Sequence, residues 1–180
     1  MSNDLVVVLD LDGTLIAEGD DIAESHEVIL RPHLKTFLDF CFAKFSQVDI
    51  WSAASTEWVD KVVKSLPRQD FHKVRSGCSK GNTYYPSSYS YYSGDHVISS
   101  GPYKNLKKYY NKHRTIIVDN TPGTFRKNYG NAVYIPTFDG KDLTDEGLLD
   151  TIDKLNDFTR EAGYGSVRNV DRAIDYNLYK

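Results

Sequence analysis

Two rhythms of apolar residues divide this chain. Leu5 to Leu9 (LVVVL) is unbroken apolar sequence, the pattern of a strand buried on both faces, and it runs straight into Asp10. TIIVDN at Thr115 to Asn120 repeats that design, with shorter runs at Val48 to Trp51 and Ala132 to Ile135. Between these runs the period lengthens. Leu34, Phe37, Leu38, Cys41 and Phe45 recur at helical spacing, which predicts a helix over 31–45 with Pro32 in its first turn. Ser55 and Thr56 offer a hydroxyl cap for a second helix burying Trp58, Val59, Val62, Val63 and Leu66, stopped by Pro67. Thr144 caps a third, burying Leu148, Leu149, Ile152, Leu155 and Phe158. Strands alternating with helices predict an α/β protein, a Rossmann-like three-layer α/β/α arrangement around a central parallel sheet. The domain is expected over 1–162, with a small strand-and-loop insertion at about 67–102 and a tail over 163–180.

In an open α/β sheet, ligands bind beyond the carboxyl ends of the strands. Here three predicted strands end in VLDLD, IWSAAS and IIVDN, so Asp10, Asp12, Asp119 and Asn120 are expected to meet as oxygen ligands beside the hydroxyls of Thr14 and Ser52. Asp10 and Asp12 repel one another and lose solvation unless a positive partner is present. An oxygen-only donor set suits a hard divalent cation, most simply Mg²⁺. A carboxylate there has the chemistry to attack phosphorus, which points to Asp10 as nucleophile. Asp12, swung over it by the turn at Gly13, is placed to protonate a departing alcohol and later to take a proton from water. Charge spread over the transferring phosphoryl oxygens calls for donors and a cation, roles for Ser52 and a lysine.

Composition narrows the classes. At 180 residues, 40% hydrophobic, 26% charged and with net charge −3, the chain fits one globular domain with an ordinary core. No apolar stretch is long enough to span a bilayer, and no basic stripe suggests nucleic-acid binding. With only a short polar lead before the first strand, an intracellular and non-secreted protein is expected, a monomer favoured. Cys41 and Cys78 are read as reduced, buried thiols, and the five histidines lack metal-ligand spacing.

The motif D-x-D-G-T after an apolar strand resembles the first motif of the haloacid dehalogenase superfamily. RPHLKTFL, VDIWSAASTEWVD, PYKNL, and IIVDNTPGTF followed by NAVYIPTF are together similar to the phosphatases acting on the C-terminal domain of RNA polymerase II. The resemblance covers roughly residues 5 to 158. It implies Asp10 as nucleophile, Asp12 as acid/base and a Mg²⁺ ligand through its carbonyl, and Ser52 as the phosphate-binding hydroxyl where threonine is usual. Lys104 would neutralise phosphate and nucleophile, Asn120 would ligate Mg²⁺ and Asp119 would hold its waters. Arg75 to Cys78 resembles a segment bordering the peptide groove, which makes Arg75 a substrate-binding candidate.

Three departures stand out. Gly13 occupies a position where small relatives often carry glutamate, the segment 15–30 is short, and the Tyr- and Ser-rich stretch 80–101 is long. Neither insertion position has the character of a large cap domain, so an open site is expected, one suited to phosphoserine or phosphothreonine on a protein or peptide. A small-molecule phosphatase using the Tyr-rich insert as a partial cap is one alternative. A non-catalytic docking module is another, which the clustered acids argue against.

Overall fold

The structure, a computed structural model, describes residues 4–17, 28–76, 103–125, 128, 130–162 and 165–168. Its strands are β1 (Val6–Leu9), β2 (Gln47–Ser52), β3 (Lys73–Ser76), β4 (Thr115–Asp119) and β5 (Ala132–Tyr134). They form one five-stranded sheet in the order β3-β2-β1-β4-β5. Every pairing is parallel, with Val8 opposite both Asp49 and Ile117. The chain winds outward from β1 through β2 to β3, then crosses to β4 and β5, so the order reverses beside β1. That reversal puts the ends of β1 and β4 at the crevice where α/β sheets bind ligands.

Helices α1 (Leu34–Lys44), α2 (Thr56–Ser65) and α4 (Gly147–Ala162) contribute to one core. There Val7, Leu9, Val48, Ile50, Ile116 and Val118 meet Phe37, Val62, Leu148 and Leu155. Side chains alternate along a strand, so Val8, Trp51, Ile117 and Ala132 line the opposite face. They pack on Leu106 of a 3-10 turn (Leu106–Lys108) and on Phe125 of the short α3 (Pro122–Phe125). Burial on both faces is why the strands read as unbroken apolar runs.

The second face is also polar. Asp49 is fully buried there, its Oδ2 accepting from the Tyr110 hydroxyl at 2.7 Å and from Gln47 Nε2 at 2.8 Å. Burial, foremost, together with the bond to Asp49, pushes the Tyr110 hydroxyl far above the usual phenol range. Asp49 Oδ1, Trp51 Nε1 and Thr115 Oγ1 are buried with no hydrogen-bond partner among the described residues.

Several boundaries differ from the sequence expectation. α1 begins at Leu34, not at 31, because His33 adopts a left-handed conformation (φ 64°) that a helix cannot continue. Ser55 caps α2 as expected, accepting from Trp58 N–H at 3.3 Å. Thr144 does not cap α4: its hydroxyl turns onto Asp142 at 2.7 Å, and Asp145 Oδ1 accepts the Gly147 N–H at 3.0 Å instead. β3 lies within the stretch read as insertion, at the edge of the main sheet. Cys41 is buried, which raises its thiol well above the ordinary range. Val167, in the expected tail, is buried and its N–H bonds the His113 carbonyl at 2.9 Å. Cys78 and the Tyr-rich stretch 84–92 lie outside the described residues. Among the described residues, no helix is long and apolar enough to cross a membrane.

One buried cation ties the first loop to the far end of the chain. Arg31 makes a two-pronged pair with Asp145 at 2.6 and 2.8 Å and donates through Nη1 to the carbonyls of Thr14 at 3.2 Å and Pro136 at 3.0 Å. It also lies over the Phe138 ring. The Arg31 hydrogen bonds hold the Asp145 carboxyl below the usual range.

Candidate active site

The site grows from the end of β1. Asp10 N–H extends the ladder to the Val118 carbonyl at 3.0 Å, which brings Asp10 beside the end of β4 and hence beside Asp119. The chain then turns back on itself: Thr14, Leu15 and Ile16 all donate backbone N–H groups to the Leu11 carbonyl. Gly13 takes φ +73°, and a Cβ there would overlap the Asn120 amide nitrogen and press on Thr137. Backbone and space both favour glycine, and a larger residue at 13 would have to displace the Asn120 amide.

Lys104 holds the acids together. Its Nζ lies 2.6 Å from Asp10 Oδ1 and 2.8 Å from Asp119 Oδ2, and all three side chains are buried. The lysine arrives on a separate segment fixed through its backbone: Lys104 N–H donates to the Thr124 carbonyl at 2.7 Å, while the Asn128 side chain bonds the Lys104 carbonyl and accepts from Leu106 N–H at 3.0 Å. Asp119 is held further by Thr121 N–H at 2.8 Å and the Thr124 hydroxyl at 2.6 Å. Thr14 Oγ1 donates to Asp10 Oδ2 at 3.2 Å and faces Asn120 Oδ1 at 3.4 Å. Asn120 Nδ2 donates to Thr137 Oγ1 at 2.9 Å, which fixes the amide so that its oxygen is the atom on the Thr14 side.

Asp12 stands in a different set of bonds. Ser52 Oγ, at the end of β2, donates to Asp12 Oδ2 at 3.1 Å and accepts from Ala54 N–H at 3.0 Å. Trp58 Nε1 donates to Asp12 Oδ1 at 2.6 Å. The two carboxylates one residue apart thus have separate donors, Lys104 and Thr14 for Asp10, Ser52 and Trp58 for Asp12.

Burial dominates the electrostatics. It pushes the Asp10 carboxyl up to about 7, against the pull of Lys104 and helped by the nearby charges of Asp119 and Asp12. For Lys104 burial works the other way, yet Asp10 and Asp119 outweigh it and its ammonium is held above the usual lysine range. A single lysine beside three carboxylates leaves surplus negative charge, which a divalent cation would balance. Among the described residues, no three His, Cys, Asp or Glu side chains form a ready-made metal cage. The donors present are instead two carboxylates, an oriented amide oxygen and backbone carbonyls. That set fits Mg²⁺, a cation that keeps several of its waters and takes few protein ligands.

Of the residues singled out from sequence, the structure brings together Asp10, Thr14, Lys104, Asp119 and Asn120, with Asp12 and Ser52 bonded to each other alongside. The contacts described for Arg75 are with other residues. Opposite Trp51 in the sheet, it stacks on Tyr109 with its guanidinium carbon 4.6 Å from the ring centroid and donates to the Tyr110 hydroxyl at 3.3 Å. Its contacts there are those of a guanidinium packing the second face. Residues not foreseen are Trp58, which reads as core, and Thr137, Thr124 and Asn128, which carry no sequence signal of their own.

Comparison with known proteins agrees with this architecture. An arginine variant of the fission yeast RNA polymerase II CTD phosphatase Fcp1, bound to beryllium fluoride, superposes with a TM-score of 0.51 at 13% identity, over 88% of this chain and 52% of that one. At that identity the likeness shows a shared fold. The family pattern of NLI interacting factor-like phosphatases matches residues 5–168. The chain belongs to that family. The ubiquitin-like domain-containing CTD phosphatase 1 of Danio rerio is 28% identical over 167 residues, covering 86% of this chain and 51% of the relative. Its namesake from Xenopus tropicalis is 27% identical over 146 residues, covering 74% and 42%. The chain thus spans about half the length of these curated relatives.

Proposed function

We propose that this chain is an Mg²⁺-dependent phosphomonoesterase that works through an aspartyl-phosphate on Asp10 and acts on phosphoserine or phosphothreonine in a protein. The observation that carries the reading is Lys104 wedged between two buried carboxylates, Asp10 and Asp119, at the carboxyl ends of adjacent parallel strands. A structural ion pair needs one acid, and a docking surface needs neither buried. Family membership and the names of the relatives support the same chemistry.

The Asp10 carboxylate attacks phosphorus in line with the departing alcohol. Lys104 draws charge from the nucleophile and the equatorial oxygens, while Ser52 supplies a further donor. Asp12 gives its proton to the leaving oxygen and then takes one from the water that opens the acyl-phosphate. A bound Mg²⁺, held by Asp10, the Asp12 carbonyl and Asn120 with Asp119 behind its waters, would supply charge neutralisation for the phosphate.

The first insertion supports a large substrate. Ile16 pairs with Leu30 and Ala17 N–H bonds the Ile29 carbonyl at 2.8 Å, so the chain leaves and rejoins the fold at one place. Residues 18–27 between them are too few for a cap domain. Turnover of phosphoserine and phosphothreonine peptides is therefore expected to exceed that of sugar phosphates in kcat/KM, and to stop with chelator. A panel assayed with Mg²⁺ and with EDTA checks this, and preference for the sugars would overturn the substrate assignment. Gly13→Ala tests the cation site: by displacing Asn120 it is expected to weaken Mg²⁺ binding about tenfold or more, read by titration calorimetry.

A further inference from the structure

Resting on the phosphatase reading above, we propose that Trp58 is a positioning residue for general acid catalysis: its indole N–H selects which oxygen of Asp12 delivers the proton. Trp58 belongs to the apolar stripe of α2 and packs its ring against the core, but its N–H leaves that stripe to donate to Asp12 Oδ1 at 2.6 Å. α2 places it there. Ser55 caps the helix through the Trp58 N–H itself, so the first turn is fixed directly behind the end of β2.

The chemistry follows from what an indole can do. It donates a hydrogen bond and never accepts one. The bond from the indole is strongest to a carbonyl-type or anionic oxygen, so with Trp58 on Oδ1 the proton of the neutral acid is favoured on Oδ2. The partner of Oδ2 is different in kind: Ser52 Oγ is a hydroxyl that reverses its role. When Asp12 is an anion, the hydroxyl donates to it. When Oδ2 carries the proton, the hydroxyl is released to turn toward a phosphoryl oxygen while Ala54 N–H still anchors Oγ at 3.0 Å. In the transfer step the bond from Asp10 to phosphorus forms, the bond from phosphorus to the alcohol oxygen breaks, and the proton on Asp12 Oδ2 passes to that oxygen. Trp58 thus biases the acid toward that one geometry of delivery.

A proton matters most for poor leaving groups. Alkyl phosphates such as phosphoserine need it, whereas para-nitrophenolate departs with little help. Trp58→Phe is expected to lower kcat/KM for a phosphoserine peptide about tenfold more than for para-nitrophenyl phosphate. Replacing Trp58 by benzothienylalanine, which keeps the ring system and substitutes sulfur for the N–H, is expected to reproduce that split without disturbing packing. Equal losses on both substrates, or none, in either protein would overturn the proposal. Failure of the wild-type protein to turn over either substrate would instead overturn the phosphatase reading itself, so the two failures are distinguishable.

Discussion

Asp10→Asn is expected to lower turnover by roughly 10⁴-fold or more, since an amide cannot attack phosphorus. In the presence of chelator the same variant is expected to be more stable than the wild type. Asp10 is buried, and burial raises its carboxyl to about 7 despite Lys104. A carboxyl whose folded value lies above its unfolded value of 3.8 favours the fold only at low pH, and that contribution is lost as pH rises through about 7. Above neutrality the wild type holds a desolvated charge that the variant lacks, while Lys104 keeps Asp119 at 2.8 Å. The melting temperature of the variant should exceed that of the wild type by roughly 5 °C at pH 8, with the gap closing toward pH 4. Thermal melts across that range decide it, and a variant less stable than the wild type at pH 8 would contradict the burial argument. Such a result would mark Asp10, the proposed nucleophile, as a group retained for chemistry at a cost to stability.

Arg31→Met should have the opposite profile, a large loss of stability. Its guanidinium is fully buried and serves Asp145 and two backbone carbonyls at once. Breaking a buried pair by removing one partner costs about 3–5 kcal/mol, because the remaining acceptors lose their donors. For a chain of this size the melting temperature is expected to fall by about 10 °C. Arg31→Lys should recover only part of it, since an ammonium lacks the planar fork that spans both Asp145 oxygens. Asp145→Asn combined with Arg31→Met should cost less than the sum of the two, as expected for residues sharing one interaction. Additive losses in that cycle would show that Arg31 acts through the Thr14 and Pro136 carbonyls and Phe138, and not through Asp145.

How much of this was legible in the sequence depends on how local each cause is. β1 and β4 are plain because burial on both faces leaves no polar residue to interrupt them. β3 is not, because KVRS is a half-exposed edge strand with no pattern of its own, stabilised by pairing with β2. The start of α4 was misplaced because Thr144 is a sound local cap, and only the distant Arg31 explains why Asp145 takes the role. At the site, Asp10, Asp119 and Asn120 could be found because strand ends converge in this kind of sheet. Trp58 could not be told from a core residue, since its period is that of the helix and only the direction of one N–H sets it apart. Thr137 acts through one hydrogen bond to Asn120, and Asn128 through two to the segment around Lys104, and sequence spacing encodes neither.

The Arg31 contacts also define how the domain can be cut. The loop that carries Thr14, the strand exit at Pro136 and the Asp145 turn ahead of α4 all meet on one side chain. A fragment ending after β5 would contain every candidate catalytic residue and yet leave that guanidinium buried without its counter-ion. A fragment meant to fold alone is therefore expected to need the span from β1 through α4 and on to the buried Val167, with chain splits or insertions confined to its surface loops.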